Sequence, residues 1–146
     1  MTLASRLRSW LAAVGLRKPQ ARHLQRGHLG EQAARAHLQA TGLTFLTANF
    51  QSRRGEIDLI FRDQDCLVFV EVKTRSSEVW SRPAAAVNAR KRRALSRTAL
   101  DYLRRLAEPR VKIRFDVVEV LLSANQVRDI RHLPGMFTLS PPLRHG

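Results

Sequence analysis

The chain has 146 residues, 44% of them hydrophobic, which suits one folded domain of ordinary size. No apolar run approaches the roughly 18–20 residues of a membrane-spanning helix, and the single cysteine, Cys66, allows no internal disulfide, which favours a reducing, cytoplasmic location. The chain carries 26 Lys and Arg residues against 12 Asp and Glu residues, a formal net charge of +14, so we expect a polyanionic partner.

Basic residues dominate the start of the chain, where no acidic residue precedes Glu31. Two interpretations of this N-terminal extension are open. A basic arm would add electrostatic attraction to a polyanion, whereas a targeting or membrane-surface helix would use the apolar face formed by Leu3, Leu7 and Leu11. We favour the basic arm, because the segment lacks the long apolar centre of a secretory signal.

The first predicted elements of the domain are a helix and a strand. Alanines and Leu38 recur at helical spacing over Leu29–Thr41, and Gly42 stands where a glycine commonly ends a helix. Leu43–Phe50 then has the composition of a strand, and a polar turn over 51–55 follows it.

A β-hairpin is predicted next. Glu56–Phe61 and Leu67–Lys73 both read as strands, and the polar residues 62–66 between them fit a short turn. Ser76–Arg82 is predicted to be a loop, after which Pro83 can open a helical region.

A basic helix is predicted over Asn88–Ala107, ending before Pro109. A run of cations usually marks a solvated helix face, but this helix has one acid, Asp101, among its many cations, and such a face repels itself. We therefore favour contact with phosphates. The residues assigned to this nucleic-acid-binding surface, including three outside the helix, are Arg90, Lys91, Arg92, Arg93, Arg97, Arg53, Arg54 and Arg75.

Val111–Leu122 is rich in β-branched residues and is predicted to be a buried strand, and Ile130–Leu133 a short edge strand. Because a strand, a helix and another strand form a crossover, Leu67–Lys73 and Val111–Leu122 should be parallel. The sequence thus predicts an α/β domain with a central mixed sheet flanked by helices. The five histidines show no metal-ligand spacing and are expected on the surface.

The hairpin register decides which side chains share a face. A turn centred on Gln64-Asp65 places Asp58 opposite Glu71, Glu56 opposite Lys73 and Ile60 opposite Phe69. The other face would be wholly apolar and would carry Ile57, Leu59, Phe61, Val68, Val70 and Val72.

If Asp58 and Glu71 face each other, their negative charges repel across the ladder, so a nearby positive charge must compensate for the repulsion. The residues leave two interpretations open. Lys73 could balance the carboxylates in a structural ion cluster, or both carboxylates could hold a hard divalent cation.

Two segments of the hairpin resemble a nuclease motif. Gly-Glu-Ile-Asp-Leu-Ile over residues 55–60 and Val-Phe-Val-Glu-Val-Lys-Thr-Arg over 68–75 are similar to the PD-(D/E)XK motif. They more closely resemble the YraN family of bacterial proteins, related to archaeal Holliday-junction resolvases. The resemblance covers roughly residues 27–137 and includes Gly30-Glu31, Asn49-Phe50, Lys91 and Arg-Phe-Asp-Val-Val over 114–118. One departure is that Glu56-Ile57 replaces the motif proline, as in YraN proteins.

This resemblance implies a restriction-endonuclease-like domain over 27–137, between a basic extension, 1–26, and an irregular tail, 138–146. It implies that Asp58 and Glu71 bind Mg²⁺ or Mn²⁺, with the Val72 carbonyl as a further ligand, and that Glu31 reaches the site from the first helix. Lys73 would orient and help deprotonate the attacking water and stabilise charge on the phosphoryl oxygens. Glu31 could instead be a helix N-terminal charge favoured by the dipole.

The resulting hypothesis is a metal-dependent endonuclease that acts on DNA, with RNA as the alternative substrate, and releases a 5′-phosphate and a 3′-hydroxyl. Selectivity for branched DNA and a homodimer follow from the resolvase analogy alone. The competing hypothesis is a catalytically silent DNA-binding module, or a partner in a DNA-processing complex. Lys91 is expected to be a phosphate contact rather than a catalytic group.

Overall fold

The computed structural model describes residues 19–76, 87–107 and 110–139. These residues form one five-stranded sheet with strand order β1-β2-β3-β4-β5 and two helices, an α/β architecture compatible with a restriction-endonuclease-like fold. The elements are α1 (Pro19–Ala40), β1 (Thr44–Ser52), β2 (Gly55–Asp63), β3 (Cys66–Arg75), α2 (Ala89–Leu106), β4 (Lys112–Ser123) and β5 (Gln126–Phe137). Within the described chain, both helices fall short of the apolar length that crossing a bilayer demands.

Strand directions follow the predicted crossover. β3 and β4 are parallel and are joined through α2, while the other three neighbouring pairs are antiparallel. The predicted mixed sheet flanked by helices is therefore confirmed. The predicted basic helix is also confirmed to within one residue at each end, with Asn88 as its N-cap and Ala107 as its C-cap.

The predicted bounds of β1, β2, β3 and β4 are correct to within two residues, whereas two other elements extend much further than predicted. α1 begins at Pro19, ten residues before the predicted start, because proline is accommodated in a first helical turn and the alanine periodicity marks only the part that packs on the sheet. β5 covers 12 residues rather than Ile130–Leu133, because none of its residues is fully buried and the strand therefore carries little apolar signal. Residues 1–18, most of the predicted loop with Pro83, and 140–146 lie outside the described residues.

Each face of the sheet buries its own hydrophobic core. The core on the α2 face contains Leu95, Ala99 and Leu103 of that helix, and the core on the α1 face contains Ala34 and Leu38. On the α2 face the helix packs against Phe50, Ile57, Ile60, Leu67, Phe69, Phe115 and Val117. On the α1 face the helix packs against Leu59, Phe61, Val68, Val70, Val118, Val120 and Leu122.

The prediction that Ile57 shares a face with Leu59 is wrong. Ile57 packs in the α2-side core and Leu59 in the α1-side core, although two residues separate them and a regular strand would place them together. The irregularity also involves β1, where Asn49 has a φ of 52°, a left-handed conformation that asparagine tolerates. The side-chain alternation of β2 is therefore interrupted at Asp58.

α1 approaches the sheet closely at Gly30. A Cβ atom at this position would lie 1.9 Å from Thr74 Oγ1 and 3.1 Å from Thr74 Cβ, both on β3. Only glycine allows the helix backbone to lie this near the strand. The contact fixes the next residue of α1, Glu31, against the end of β3.

We expect Gly30→Ala to lower the free energy of unfolding by about 1–3 kcal/mol, because the added methyl group must displace Thr74 or the helix. Gly27→Ala is the matched control, since a Cβ there meets nothing within 4 Å. In that open helical position alanine should stabilise the protein by about 0.5–1 kcal/mol. Urea unfolding of both variants measures the difference, and equal effects would contradict the close contact.

A buried ion network holds β5 on the sheet. Asp116 of β4 is fully buried and accepts hydrogen bonds from Arg114 Nε at 2.9 Å and from the backbone N of Gly135 at 3.0 Å. His132 Nε2 lies 2.7 Å from Asp116 Oδ2, and Arg114 Nη1 also donates to Asp63 at 3.1 Å. The expectation that the histidines lie free on the surface is wrong for His132, which is half-buried in this network.

The pKa of Asp116 reflects two opposing causes. Burial alone would raise it, but the hydrogen bonds from His132, Arg114 and the Gly135 amide outweigh burial, and the pKa is lowered from its usual value of 3.8. The charged carboxylate is therefore the form that stabilises the fold. Its contribution is present above the unfolded pKa and is lost as the pH falls through the lower, folded pKa.

Asp116→Asn should lower the free energy of unfolding by about 3 kcal/mol near pH 7, because Arg114 and His132 lose their shared anion. The gap between wild type and variant should narrow below about pH 4, where Asp116 of the unfolded chain takes up a proton while the folded protein does so only at lower pH. Asp65→Asn is the control, because its ion pair with Lys112 is exposed and its removal should leave stability nearly unchanged. Chemical denaturation near pH 7 and below about pH 4 measures the difference in free energy of unfolding between wild type and variant. A difference that stays constant between the two conditions would contradict the prediction.

Candidate active site

Glu71 lies at the centre of the candidate site, on the α2 face of β3. Its side chain is 5% exposed, and its Oε1 atom lies 3.5 Å from Lys73 Nζ and 3.4 Å from Lys91 Nζ. The Asn88 cap accepts a hydrogen bond from the backbone N of Lys91 at 2.9 Å, which places Lys91 in the first turn of α2. Within the described residues, Glu71 Oε2 has no hydrogen-bond partner.

Asp58 takes the place of a backbone group at the end of the hairpin ladder. The β2–β3 pairing runs from Asp63↔Cys66 to Leu59↔Val70, which confirms the predicted register. The ladder stops there, so the predicted backbone pairs of Asp58 with Glu71 and of Glu56 with Lys73 do not form. Instead, the backbone N of Val72 donates to Asp58 Oδ2 at 2.8 Å.

The Asp58 carboxyl is hard to ionise. Burial is the main cause and the Glu71 charge the second, and together with Glu31 they raise the pKa of Asp58 from 3.8 to about 7. The hydrogen bond from Val72 and the charge of Lys91 act in the opposite direction and are outweighed. Asp58 and Glu71 therefore interact strongly as like charges, as the sequence predicted, although they are not paired across the ladder.

Glu31 joins this acidic group from α1. Its pKa is raised by burial, then by the charge of Glu56 and, more weakly, by that of Glu71. The alternative of a helix N-terminal charge is wrong, because α1 begins 12 residues earlier and its first turn has no acid. Glu56 is exposed at the start of β2. Three elements thus bring Glu31, Asp58 and Glu71 within electrostatic reach of one another.

The donor set suits a hard cation. The buried oxygen of Glu71 without a partner and the raised pKa of Asp58 both signal unbalanced acceptor oxygens, which a divalent ion would satisfy. Over the described ranges, no three His, Cys, Asp or Glu side chains form a closed metal-ligand cluster. Asp58, Glu71 and the Val72 carbonyl are the groups that could hold an ion together with water.

Of the eight predicted phosphate-binding residues, Lys91 contacts Glu71 in the acidic site, and the other seven separate into two groups. Arg90, Arg93 and Arg97 are exposed on α2, and Arg53 and Arg54 are exposed in the β1–β2 turn. The turn packs against α2, since a Cβ at Gly55 would lie 2.9 Å from Thr98 Oγ1. A groove of about 370 Å³ between turn and helix is lined by Ser52, Arg53, Arg54, Asp101 and Arg105.

Arg92 and Arg75 are less exposed than the first group and contact buried parts of the protein, whereas Arg54 has an ion-pair partner, Asp101, in the exposed groove. Arg92 Nε donates to the carbonyl of Val87 at 3.1 Å, and its guanidinium lies 5.5 Å from the centroid of the Phe137 ring. Arg75 Nη2 lies 3.9 Å from Oε1 of the fully buried Glu119. The first arginine therefore supports the fold beneath α2, while the second belongs to a separate charged cluster.

Comparison with known proteins shows to which family the chain belongs. A family model described as "Uncharacterised protein family UPF0102" matches residues 30–120, a segment that contains Glu31, Asp58, Glu71 and Lys73. The chain belongs to this family. This confirms the YraN resemblance at the level of the family.

Relatives in three organisms cover most of the chain. A UPF0102 protein of Trichlorobacter lovleyi is 41% identical over 115 residues, 78% of this chain and 91% of that protein. One of Symbiobacterium thermophilum is 50% identical over 94 residues, 64% of this chain and 80% of that protein. One of Clostridium acetobutylicum is 38% identical over 114 residues, 77% of this chain and 93% of that protein.

Sequence reasoning missed Glu119 and Arg131. Glu119 stands inside the apolar run of β4, where every residue from Phe115 to Leu122 is buried. A carboxylate within such a run, which also holds Asp116, was the available signal, because a buried carboxylate requires partners. Arg131 supplies one of them, through a hydrogen bond from its Nη2 to Glu119 Oε2.

In metal-free protein, Asp58→Asn should raise the free energy of unfolding near pH 8 by about 1–3 kcal/mol. The folded Asp58 pKa lies above the unfolded one, so the wild type loses stability as the pH rises from about 4 to 7, whereas asparagine does not ionise. Thermal unfolding of both proteins in EDTA, from about pH 4 to about pH 8, measures the effect. Asp65→Asn is the control and should not show this trend, and equal stability of wild type and Asp58→Asn at every pH would contradict the crowding of carboxylates.

Proposed function

We propose that this protein is a metal-dependent endonuclease of the PD-(D/E)XK type that hydrolyses phosphodiester bonds of DNA with Mg²⁺ or Mn²⁺. The observation that carries the proposal is the electrostatic proximity of two largely buried carboxylates, Asp58 and Glu71, with the Lys73 ammonium group beside Glu71. A stable fold gains nothing from crowding like charges in this way, whereas a nuclease needs a cation and a general base at one point.

Each residue of the site would have a separate task. Asp58, Glu71 and the carbonyl of Val72 would hold the divalent ion, and Glu31 would complete the acidic side of the site. When bound, such an ion lowers the pKa of a water molecule and neutralises charge on the phosphoryl oxygens. Lys73 would orient that water and stabilise the charge that develops during attack.

The surface around the site suits a nucleic-acid strand. The exposed cations of α2 and of the β1–β2 turn lie on elements that contact each other at Gly55, so they form one basic surface. Arginines arranged in this way bind phosphates without reading bases. This supports nonspecific or structure-selective binding of nucleic acid. The resolvase resemblance suggests branched DNA as the substrate and a homodimer as the oligomeric state.

A catalytically silent DNA-binding module is the second candidate. It is favoured by one observation: Lys73 and Lys91 both lie within 3.5 Å of Glu71 Oε1, so two ammonium groups can neutralise Glu71 without a metal. In that case the basic surface would bind DNA and the acidic group would be a structural ion cluster.

A cleavage assay over branched, duplex and single-stranded DNA, and RNA, with Mg²⁺, Mn²⁺ or EDTA tests the proposal. We expect cleavage by the wild type with either metal and none in EDTA. Asp58→Asn should abolish cleavage and weaken Mn²⁺ binding but retain DNA binding. Lys73→Ala should retain Mn²⁺ binding and lose cleavage by about 100-fold or more, because the water is no longer positioned.

The matched control for Lys73→Ala is Lys112→Ala, which removes an exposed lysine at the other end of β4 from the site. It should cleave like the wild type. If calorimetry finds no binding of divalent ions with or without DNA, and no substrate is cleaved, the silent DNA-binding module replaces the enzyme.

A further inference from the structure

A row of charged side chains crosses the sheet next to the acidic site. Lys73 of β3 pairs in register with Glu119 of β4, and Glu119 pairs with Arg131 of β5. Val117, two residues before Glu119, packs in the α2-side core, so the row lies on the α2 face, as Glu71 does. Neighbouring strands are about 4.8 Å apart, so the row begins within the candidate active site and leads away from it.

Two guanidinium groups meet on one buried carboxylate in this row. Glu119 is fully buried, Arg131 Nη2 donates to its Oε2, and Arg75 Nη2 lies 3.9 Å from its Oε1. One carboxylate and two guanidinium groups give these three side chains a summed charge of +1. Within the described residues, the buried Nε atom of Arg75 has no hydrogen-bond partner.

The cluster is open to solvent only on its cationic side. The side chain of Glu119 has no exposed area, whereas those of Arg75 and Arg131 are 27% and 30% exposed. An incoming ligand would therefore meet guanidinium donors and not the carboxylate. A planar, partly exposed guanidinium matches the geometry of phosphate oxygens.

We propose that Arg75 and Arg131, positioned by Glu119, bind a backbone phosphate of the nucleic-acid strand adjacent to the phosphate held at Asp58, Glu71 and Lys73. The proposal rests on the proposed function. Arg75 follows Lys73 by two residues on the same face of β3, a step of about 7 Å. That step is comparable to one nucleotide of an extended strand, so the two sites can hold successive phosphates.

The test measures DNA affinity against salt concentration in EDTA, so that no cleavage is required. A duplex with a fluorescent label is titrated by anisotropy with the wild type, Arg131→Gln, Arg93→Gln and Arg62→Gln. All three variants lose one positive charge. Arg93 is exposed on α2 and belongs to the proposed DNA surface, whereas Arg62 pairs with Leu67 at the opposite end of the sheet and is the matched control.

The slope of log K against log salt is negative. We expect its magnitude to decrease by about 0.9 for Arg131→Gln and for Arg93→Gln, since each variant loses one phosphate contact. Arg62→Gln should keep the wild-type slope. If Arg93→Gln decreases the magnitude of the slope and Arg131→Gln does not, the second phosphate site is wrong while the proposed function stands. If the wild type shows no salt-dependent binding at all, the DNA-binding function itself is wrong.

Glu119→Gln separates a positioning role from simple neutralisation. The variant gains one unit of positive charge, yet we expect the magnitude of its slope to decrease like that of Arg131→Gln, because the two guanidiniums lose their alignment. Tighter binding with a steeper slope would overturn the positioning role. If Arg131→Gln lacks a cooperative thermal transition, Glu119→Gln/Arg131→Gln replaces it, since that variant leaves no bare carboxylate and keeps the wild-type net charge; an unchanged slope would overturn the proposal.

Discussion

The hydrogen bond from the backbone N of Val72 to Asp58 Oδ2 is the constraint on which the candidate site depends. Beyond Leu59 and Val70 the two hairpin strands no longer pair, and a side-chain carboxylate takes over from a backbone carbonyl. The strands remain joined at that point, but the acceptor is now an ionisable group in a poorly solvated position. The raised pKa of Asp58 follows from this substitution and from the nearby Glu71.

The two helices complete the site from opposite faces of the sheet. α1 can bring Glu31 to the end of β3 because Gly30 lets the helix lie directly on Thr74. α2 brings Lys91 to Glu71 because the Asn88 cap starts the helix at that point. Gly30 and Asn88 thus determine where a carboxylate and an ammonium group enter the site, although Gly30 and Asn88 themselves carry no charge.

The sequence was sufficient wherever one local pattern decided the structure. The hairpin register followed from the turn, α2 from its basic helical segment and the proline after it, and the parallel pairing of β3 and β4 from the crossover. Sequence reasoning failed where contacts between residues distant in the chain determine the structure. Ile57 could not be placed, because the interruption at Asp58 depends on the hydrogen bond to Val72. The partners of Glu119 could not be named, because Arg75 and Arg131 lie far apart in the sequence and meet only through the sheet register.

The Asp116 network gives the edge strand β5 two ends of unequal stability. Near Gly135 the strand is fastened to β4 by hydrogen bonds to a buried carboxylate, in addition to its backbone pairing. At Gln126–Asp129 the residues are exposed and follow a turn in which Ala124 and Asn125 both have positive φ. Local opening should therefore begin at the hairpin end and stop before His132, so that amide hydrogens would exchange quickly in the first part of the strand and slowly in the last. Arg131 lies at the boundary between these two parts.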